Sequence, residues 1–261
     1  MRRFSLIGRL GPDDKGKINL VQSDSDVFEI DFLDGDLRMG FGIGHALDQL
    51  ASLGLQPSER AIDLVVLAAL VNAGDTRVSR KLNAQDGWTR EIDLYIPVST
   101  SAAWTASTSS IESMLRFLSG DRWRVFFRDR TKRTRTFAVA PKRLAIDGLT
   151  KVSLLSGGLD SLIGAVDLLS GGERPLFVSH YWDSETAKAQ AYIIDRLETR
   201  FGKEAFKSLR VRLGFDKHHL TTGETENTQR GRSFLFYSLA TLAASAIDEQ
   251  TTVDIPENGL I

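Results

Sequence analysis

Residues 151–169 read KVSLLSGGLDSLIGAVDLL. A short apolar run of strand character breaks into Ser156-Gly157-Gly158, and a helical spacing of Leu159, Leu162, Ile163, Val166 and Leu169 follows. Glycines at such a junction let the backbone turn sharply and approach a ligand with no Cβ in the way. The helix, expected to start near Asp160, aims its unpaired N–H groups and the positive end of its dipole into the loop, which makes an anion site. Ser156 and Ser161 add hydroxyl groups, and a phosphate-bearing ligand fits the whole set. The spacing is neither that of a P-loop, whose Lys-Ser/Thr pair is missing, nor G-x-G-x-x-G, so a nucleotide kinase or a dinucleotide dehydrogenase is not expected. Asp160 would repel phosphates unless a cation came between them. It is expected to help hold Mg²⁺ or to cap the helix, the metal role being preferred.

Outward from this junction the chain changes style near residue 148. From 149 to 261 the alternation is regular: strands at 152–155, LFVSHY (176–181), SLRVRL (208–213) and TVDIP (252–256), with helices at 159–169, 185–201 and 233–247 between them. Such alternation predicts right-handed crossovers and a doubly wound parallel α/β sheet. Residues 1–148 mix elements less regularly and are expected to form an α+β domain. INLVQSDSDVFEIDF (18–32) alternates like strands about a polar turn. SERAIDLVVLAALVNAGD (58–75) reads as a buried helix with Ser58 as N-cap and Gly74 near its end. REIDLYIPV (90–98) is a strand. SSIESMLRFLSGD (109–121) has a capping box from Ser109 to Glu112, an apolar face at Ile111, Leu115 and Leu118, and a stop at Gly120. WRVFFRDRTKRTRTFAVAP (123–141) looks like two strands joined by a charged turn.

The 261 residues, 42% hydrophobic and 26% charged, have the composition of a soluble globular protein, and the net charge of −1 gives no global attraction to nucleic acid or acidic membranes. There is no cysteine, hence no disulfide framework and no cysteine-based zinc site. MRRFSLIGRLGPDD (1–14) is too broken to be a signal peptide, and the longest apolar stretch (61–71, interrupted by Asp63) is far short of a membrane span. A cytoplasmic location is the expectation. The chain stops at PENGLI just where the fourth strand should deliver its loop to the ligand site. A missing C-terminal part is therefore expected, as a fragment or a chain completed by another polypeptide; a minimal four-stranded domain is the alternative.

S-G-G-x-D-S directly after the first strand of an α/β domain resembles the signature of the PP-loop ATP pyrophosphatases, and Ser156, Gly157, Gly158, Asp160 and Ser161 match every fixed position. The resemblance implies that the loop grips the β- and γ-phosphates of ATP, that ATP is split between α and β with Mg²⁺ neutralising charge, and that an adenylated substrate forms. Two further segments, SHYWDSETAKAQAYIIDRLETRFG (179–202) and TQRGRSFLFYSLATLAASAI (228–247), are similar to the 7-cyano-7-deazaguanine synthase (QueC) branch, the queuosine-pathway synthases. Its Gly-Arg-Asn-x-x-Phe helix entry corresponds to Gly231-Arg232-Ser233-Phe234-Leu235-Phe236, with Ser in place of Asn. The long N-terminal part resembles more closely the QueC-like proteins of bacterial anti-phage systems, the Qat family (QatC) among them. The four-cysteine zinc site of the synthases has no counterpart here.

What this resemblance implies is an ATP-dependent ligase that adenylates a carboxylate, 7-carboxy-7-deazaguanine or a relative, and passes it to ammonia or to an amine, in a defence system on a partner protein. Asp160, Ser161 and Arg232 would be its catalytic residues. Ser156, Gly157, Gly158, Leu159, Asp160 and Ser161 would hold the nucleotide, with His180 and Tyr181 at the end of the second strand either beside the adenosine or the substrate or, equally, packed in the core. Arg232 at a helix start suits a phosphate or carboxylate. Another PP-loop amidating synthetase, or a nucleotide-binding subunit without catalysis, are the alternatives; a persulfide-dependent thiolase would normally show a cysteine.

Other candidates are weaker. Asp183 and Lys188 follow the second strand and read equally well as solvated charges. Asp216-Lys217-His218-His219 carries two adjacent histidines that cannot face one way on a helix, and no third ligand accompanies them, so a metal site is not expected. The basic run from Arg122 to Arg135, with Trp123, Phe126 and Phe127 interleaved, has the composition of an RNA-binding strip, but its aromatics are expected to face a core, and nucleic acid is not an expected partner.

Overall fold

The computed structural model describes residues 2–84, 87–215, 226 and 230–257. In chain order the elements are β1 (Arg3–Arg9), β2 (Asp26–Asp31), α1 (Ile43–Ser52), α2 (Glu59–Arg77), α3 (Arg80–Asn83), β3 (Glu91–Val98), α4 (Ser101–Thr105), α5 (Thr108–Ser119), β4 (Arg122–Asp129), β5 (Lys151–Leu154), α6 (Leu159–Ser170), β6 (Pro175–His180), α7 (Ser184–Phe201), β7 (Lys207–Val211), α8 (Arg232–Ile247) and β8 (Val253–Asp254). They build two four-stranded sheets, β2-β1-β3-β4 and β7-β6-β5-β8, in which every pairing is parallel. The protein is therefore α/β throughout.

The chain divides into two compact units, and their boundaries interleave. One comprises residues 1–41, 63–137 and 214–235; the other comprises 42–62, 138–213 and 236–261. Each contains one sheet.

The first unit corrects the expectation of an α+β domain. β1 and β3 are buried along almost their whole length, as strands covered on both faces are. Only the second half of 18–32 pairs, as β2. After β4 the chain does not return as a hairpin: it makes a 3₁₀ turn at Lys132–Thr134 and leaves the sheet, and the Arg130 guanidinium lies 4.9 Å from the Phe137 ring centre. α2 starts as expected, with Ser58 Oγ accepting from Ala61 N–H at 3.3 Å, and ends at Arg77, with Gly74 in its last turn as expected. A Cβ at Gly74 would lie 3.1 Å from both Leu6 Cδ1 and Trp123 Cη2, so this glycine serves close helix-on-sheet packing. The expected capping box of α5 is also replaced. Its N-cap is Ser107, and Glu112 Oε1 accepts from the backbone N–H of Val125 at 2.9 Å, tying the helix to β4. Gly120, at φ 77°, ends the helix as expected.

In the second unit the elements fall within two residues of their expected limits. Leu155, Phe177 and Phe206 form a core with Ala165 and Leu169 of α6 and Ile193 and Leu197 of α7. Asp183 caps α7, its carboxylate accepting from Thr186 N–H at 2.7 Å and from Thr186 Oγ1 at 2.8 Å. Helix α1 also belongs here. The Gln49 amide brackets Arg210 on the edge strand β7, donating to its carbonyl at 2.9 Å and accepting from its N–H at 3.2 Å, which covers an otherwise open edge. Among the described residues no helix is long and apolar enough to cross a membrane.

Candidate functional site

In the second sheet β5 is flanked by β6 on one side and β8 on the other, so the strand order reverses at the carboxyl end of β5. Ligands of open parallel sheets bind at such a switch point. The loop Leu155–Gly158 leaves the sheet there and enters α6 one residue earlier than expected, at Leu159.

Gly157 has φ +95°, a left-handed conformation that strains any residue with a Cβ. Gly158 is different: φ −88° and ψ 172° are open to any residue. Among the described residues a Cβ built on it would come no closer than 3.5 Å, to Ser156 Oγ, an ordinary van der Waals contact, so the loop has room above it. Gly158 is also the N-cap of α6, so no side chain satisfies the first N–H groups of the helix.

The two serines close the loop on itself. Ser156 Oγ donates to Ser161 Oγ at 3.1 Å, Ser161 Oγ donates to the Gly158 carbonyl at 2.9 Å, and the N–H groups of Gly157 and Gly158 donate to Ser161 Oγ and Ser156 Oγ, each at 3.3 Å. The last two bonds are long for N–H···O, and a phosphate oxygen would make shorter, charge-assisted ones. Ser161 is 3% exposed and holds the turn from beneath, whereas Ser156 is exposed. Leu159 is 71% exposed. Asp160 is exposed in the first turn of α6, and its carboxylate makes no hydrogen bond or ion pair with any described residue; it does not cap the helix.

His180 ends β6 and turns inward. It is 2% exposed, and its Nε2 lies 3.0 Å from the Leu213 carbonyl, which fixes that nitrogen as the protonated one. Tyr181 is half-buried, with the Arg210 guanidinium 5.6 Å from its ring centre. Lys188 is exposed on α7. Arg232 opens α8, half-buried, and groups with the first unit, while the loop groups with the second. Asp216, Lys217, His218 and His219 lie outside the described residues. No group of three or more histidine, aspartate or glutamate side chains is gathered as metal ligands among the described residues.

Gln190 on α7, missed by the sequence reading, joins these pieces. It is fully buried, and its Nε2 donates to the Ser156 carbonyl at 3.2 Å and to the His180 carbonyl at 3.0 Å. Its Oε1 is buried without a hydrogen-bond partner. Flipping the amide would set that oxygen against two carbonyls, so the orientation is unambiguous. In stability the arrangement nearly cancels: two hydrogen bonds contribute about 0.5–1.5 kcal/mol each, and an orphaned buried acceptor costs about 1–3 kcal/mol. A glutamine amid the polar face of an amphipathic helix carries no sequence signal for this role.

Two charged clusters organise the first unit. Asp63, fully buried in α2, accepts from Ser99 N–H and Oγ at 2.9 and 2.7 Å, from Trp104 Nε1 at 3.1 Å and from Arg130. Burial pushes its carboxyl above the ordinary aspartate range, and Arg130 and these donors pull against that. Asp75 and Asp121 bind Arg80 and Arg90, all four buried, and Asp75 Oδ2 also accepts from the Gly231 N–H at 2.8 Å. Five cations of the basic run from Arg122 to Arg135 are paired with carboxylates: Arg122 with Glu91, Arg124 with Asp93, Arg128 with Asp14, Arg130 with Asp63 and Arg133 with Asp13. Trp123 is buried, and Phe126 stacks on Tyr95 with ring centres 4.9 Å apart.

Compared with profiles of known protein families, with curated proteins and with solved structures, the chain gives no match.

Proposed function

We propose that the protein is a PP-loop enzyme of the QueC-like type: an ATP-dependent ligase that adenylates a carboxylate, 7-carboxy-7-deazaguanine or a relative, and transfers the acyl group to ammonia or an amine in anti-phage defence. The observation that carries the reading is the Ser156–Asp160 loop at the switch point of a parallel sheet, with room above Gly158 among the described residues and a helix N-terminus capped by glycine.

In this reading the N–H groups of Gly157, Gly158 and Leu159 hold the β- and γ-phosphates, the two glycines exchanging their long bonds to serine for bonds to phosphate oxygen. Asp160, exposed and unengaged, is placed to hold Mg²⁺, which would neutralise charge on the leaving pyrophosphate. The substrate carboxylate oxygen bonds to the α-phosphorus as the bond to the β-phosphate bridge oxygen breaks. Nitrogen then bonds to the acyl carbon, AMP leaves, and the nitrogen loses a proton to solvent. The role of Ser161 is to hold the loop from beneath, and that of His180 is to fix the end of β6.

A second reading, nucleotide binding without turnover, is favoured by the inward placement of Ser161 and His180, which leaves Asp160 as the exposed ionisable group of the loop. Incubation with Mg·ATP and 7-carboxy-7-deazaguanine separates the two. Carboxylate-dependent release of AMP and pyrophosphate supports the ligase. Saturable ATP binding with no release supports the second reading, and no ATP binding by folded protein refutes both.

A further inference from the structure

Gln190 bridges the ends of β5 and β6 from α7. Its two N–H bonds hold the carbonyls of Ser156 and His180, and its Cγ lies 3.2 Å from where a Cβ on Gly157 would stand. A carbonyl drawn toward α7 turns the following peptide N–H the other way, because the two are antiparallel across a trans peptide plane. The N–H that follows the Ser156 carbonyl belongs to Gly157. The unpartnered Oε1 argues that the residue is kept for its paired donors.

We infer that Gln190 is a positioning residue, which sets the direction of the Gly157 N–H, and with it the start of the glycine turn, by clamping the Ser156 carbonyl to the end of β6. This deepens the nucleotide reading above and rests on it for its consequence in binding, although the clamp itself is testable without nucleotide. Gln190→Met keeps the length of the side chain and removes both donors. Gln190→Glu keeps its shape and sets oxygen against the two carbonyls.

The test combines amide hydrogen exchange at Gly157 and Gly158, followed by NMR in the absence of nucleotide, with calorimetric titration of Mg·ATP. In both variants the glycine signals move and exchange at least tenfold faster while signals of the first unit stay in place, and the Kd for Mg·ATP rises at least tenfold. If both glycine signals are unmoved in a folded variant, the clamp is overturned. If they move and the Kd does not, its role in nucleotide binding is overturned. If the unaltered protein binds no Mg·ATP yet its glycine signals respond to the substitutions, the clamp stands and the nucleotide reading falls. Should Gln190→Met fail to fold, Gln190→Glu carries the same readouts.

Discussion

Gly158→Ala separates folding from binding. The backbone there, φ −88° and ψ 172°, suits alanine, and among the described residues the new methyl would come no closer than 3.5 Å, to Ser156 Oγ. With no strain to offset it, the reduced entropy of the unfolded chain should stabilise the protein by about 0.4–1 kcal/mol. The same methyl would occupy the space over the loop where the phosphates are proposed to lie. Losing one charge-assisted hydrogen bond costs about 1.5–3 kcal/mol, which weakens binding by roughly tenfold to a hundredfold. Thermal denaturation and calorimetric titration with Mg·ATP, on the same preparation, should show Tm unchanged or raised and Kd raised. Gly158→Val should be worse for binding, with little further effect on folding. The neighbouring Gly157→Ala inverts the pattern. At φ +95°, with Gln190 Cγ 3.2 Å from the new methyl, it should lose about 1–2 kcal/mol of stability. A Gly158→Ala protein that is stable and binds Mg·ATP with the unaltered Kd would refute the placement of the phosphates.

Other expectations concern both units. Asp160→Asn should weaken ATP binding in the presence of Mg²⁺ and leave Tm within error, since its carboxylate engages no described residue; titration with and without Mg²⁺ measures both effects. Asp75→Ala removes a carboxylate from between two buried guanidinium groups and frees the Gly231 N–H, and should cost about 3–5 kcal/mol in denaturant unfolding. Glu29 is held below the usual glutamate range chiefly by its hydrogen bond from Arg9. A lowered folded pKa contributes stability that is present above the unfolded value and lost as pH falls through the folded one. The carboxylate is half exposed, so Glu29→Gln should remove at most about 0.5 kcal/mol near pH 7 and nothing at low pH, read from urea unfolding across that range.

The second sheet is legible in the sequence because β5 and β6 are each followed by a turn and an amphipathic helix, so hydrophobic period and punctuation agree. The first sheet was harder. Asp63, Asp75 and Arg80 are buried charges on its helices, Arg90 lies just before β3 and Asp93 within it, and each pairs with a charge on another element, so the apolar period is interrupted for reasons the local sequence does not show. The position of Gly74 near the end of α2 is legible in the sequence, but its packing role against Leu6 and Trp123 is tertiary and is not. The basic run from Arg122 to Arg135 has the composition of a nucleic-acid strip, and the carboxylates that pair with five of its cations come from other elements, where no local pattern shows them. At the site, the glycine loop was readable from local chemistry alone. The inward turn of Ser161 and His180 and the clamp by Gln190 depend on which face of each element meets the sheet, and no local motif encodes that.

The central claim is that the turn at Gly157-Gly158 receives the phosphates of a nucleotide. A crystal structure of the protein with Mg²⁺ and a non-hydrolysable ATP analogue tests it most directly. The account predicts β- and γ-phosphate oxygens within hydrogen-bond distance of the Gly157, Gly158 and Leu159 N–H groups, with the serine hydroxyls displaced from the two glycines. Analogue bound elsewhere in the molecule, with both serine bonds intact and the space over Gly158 still empty, would contradict it.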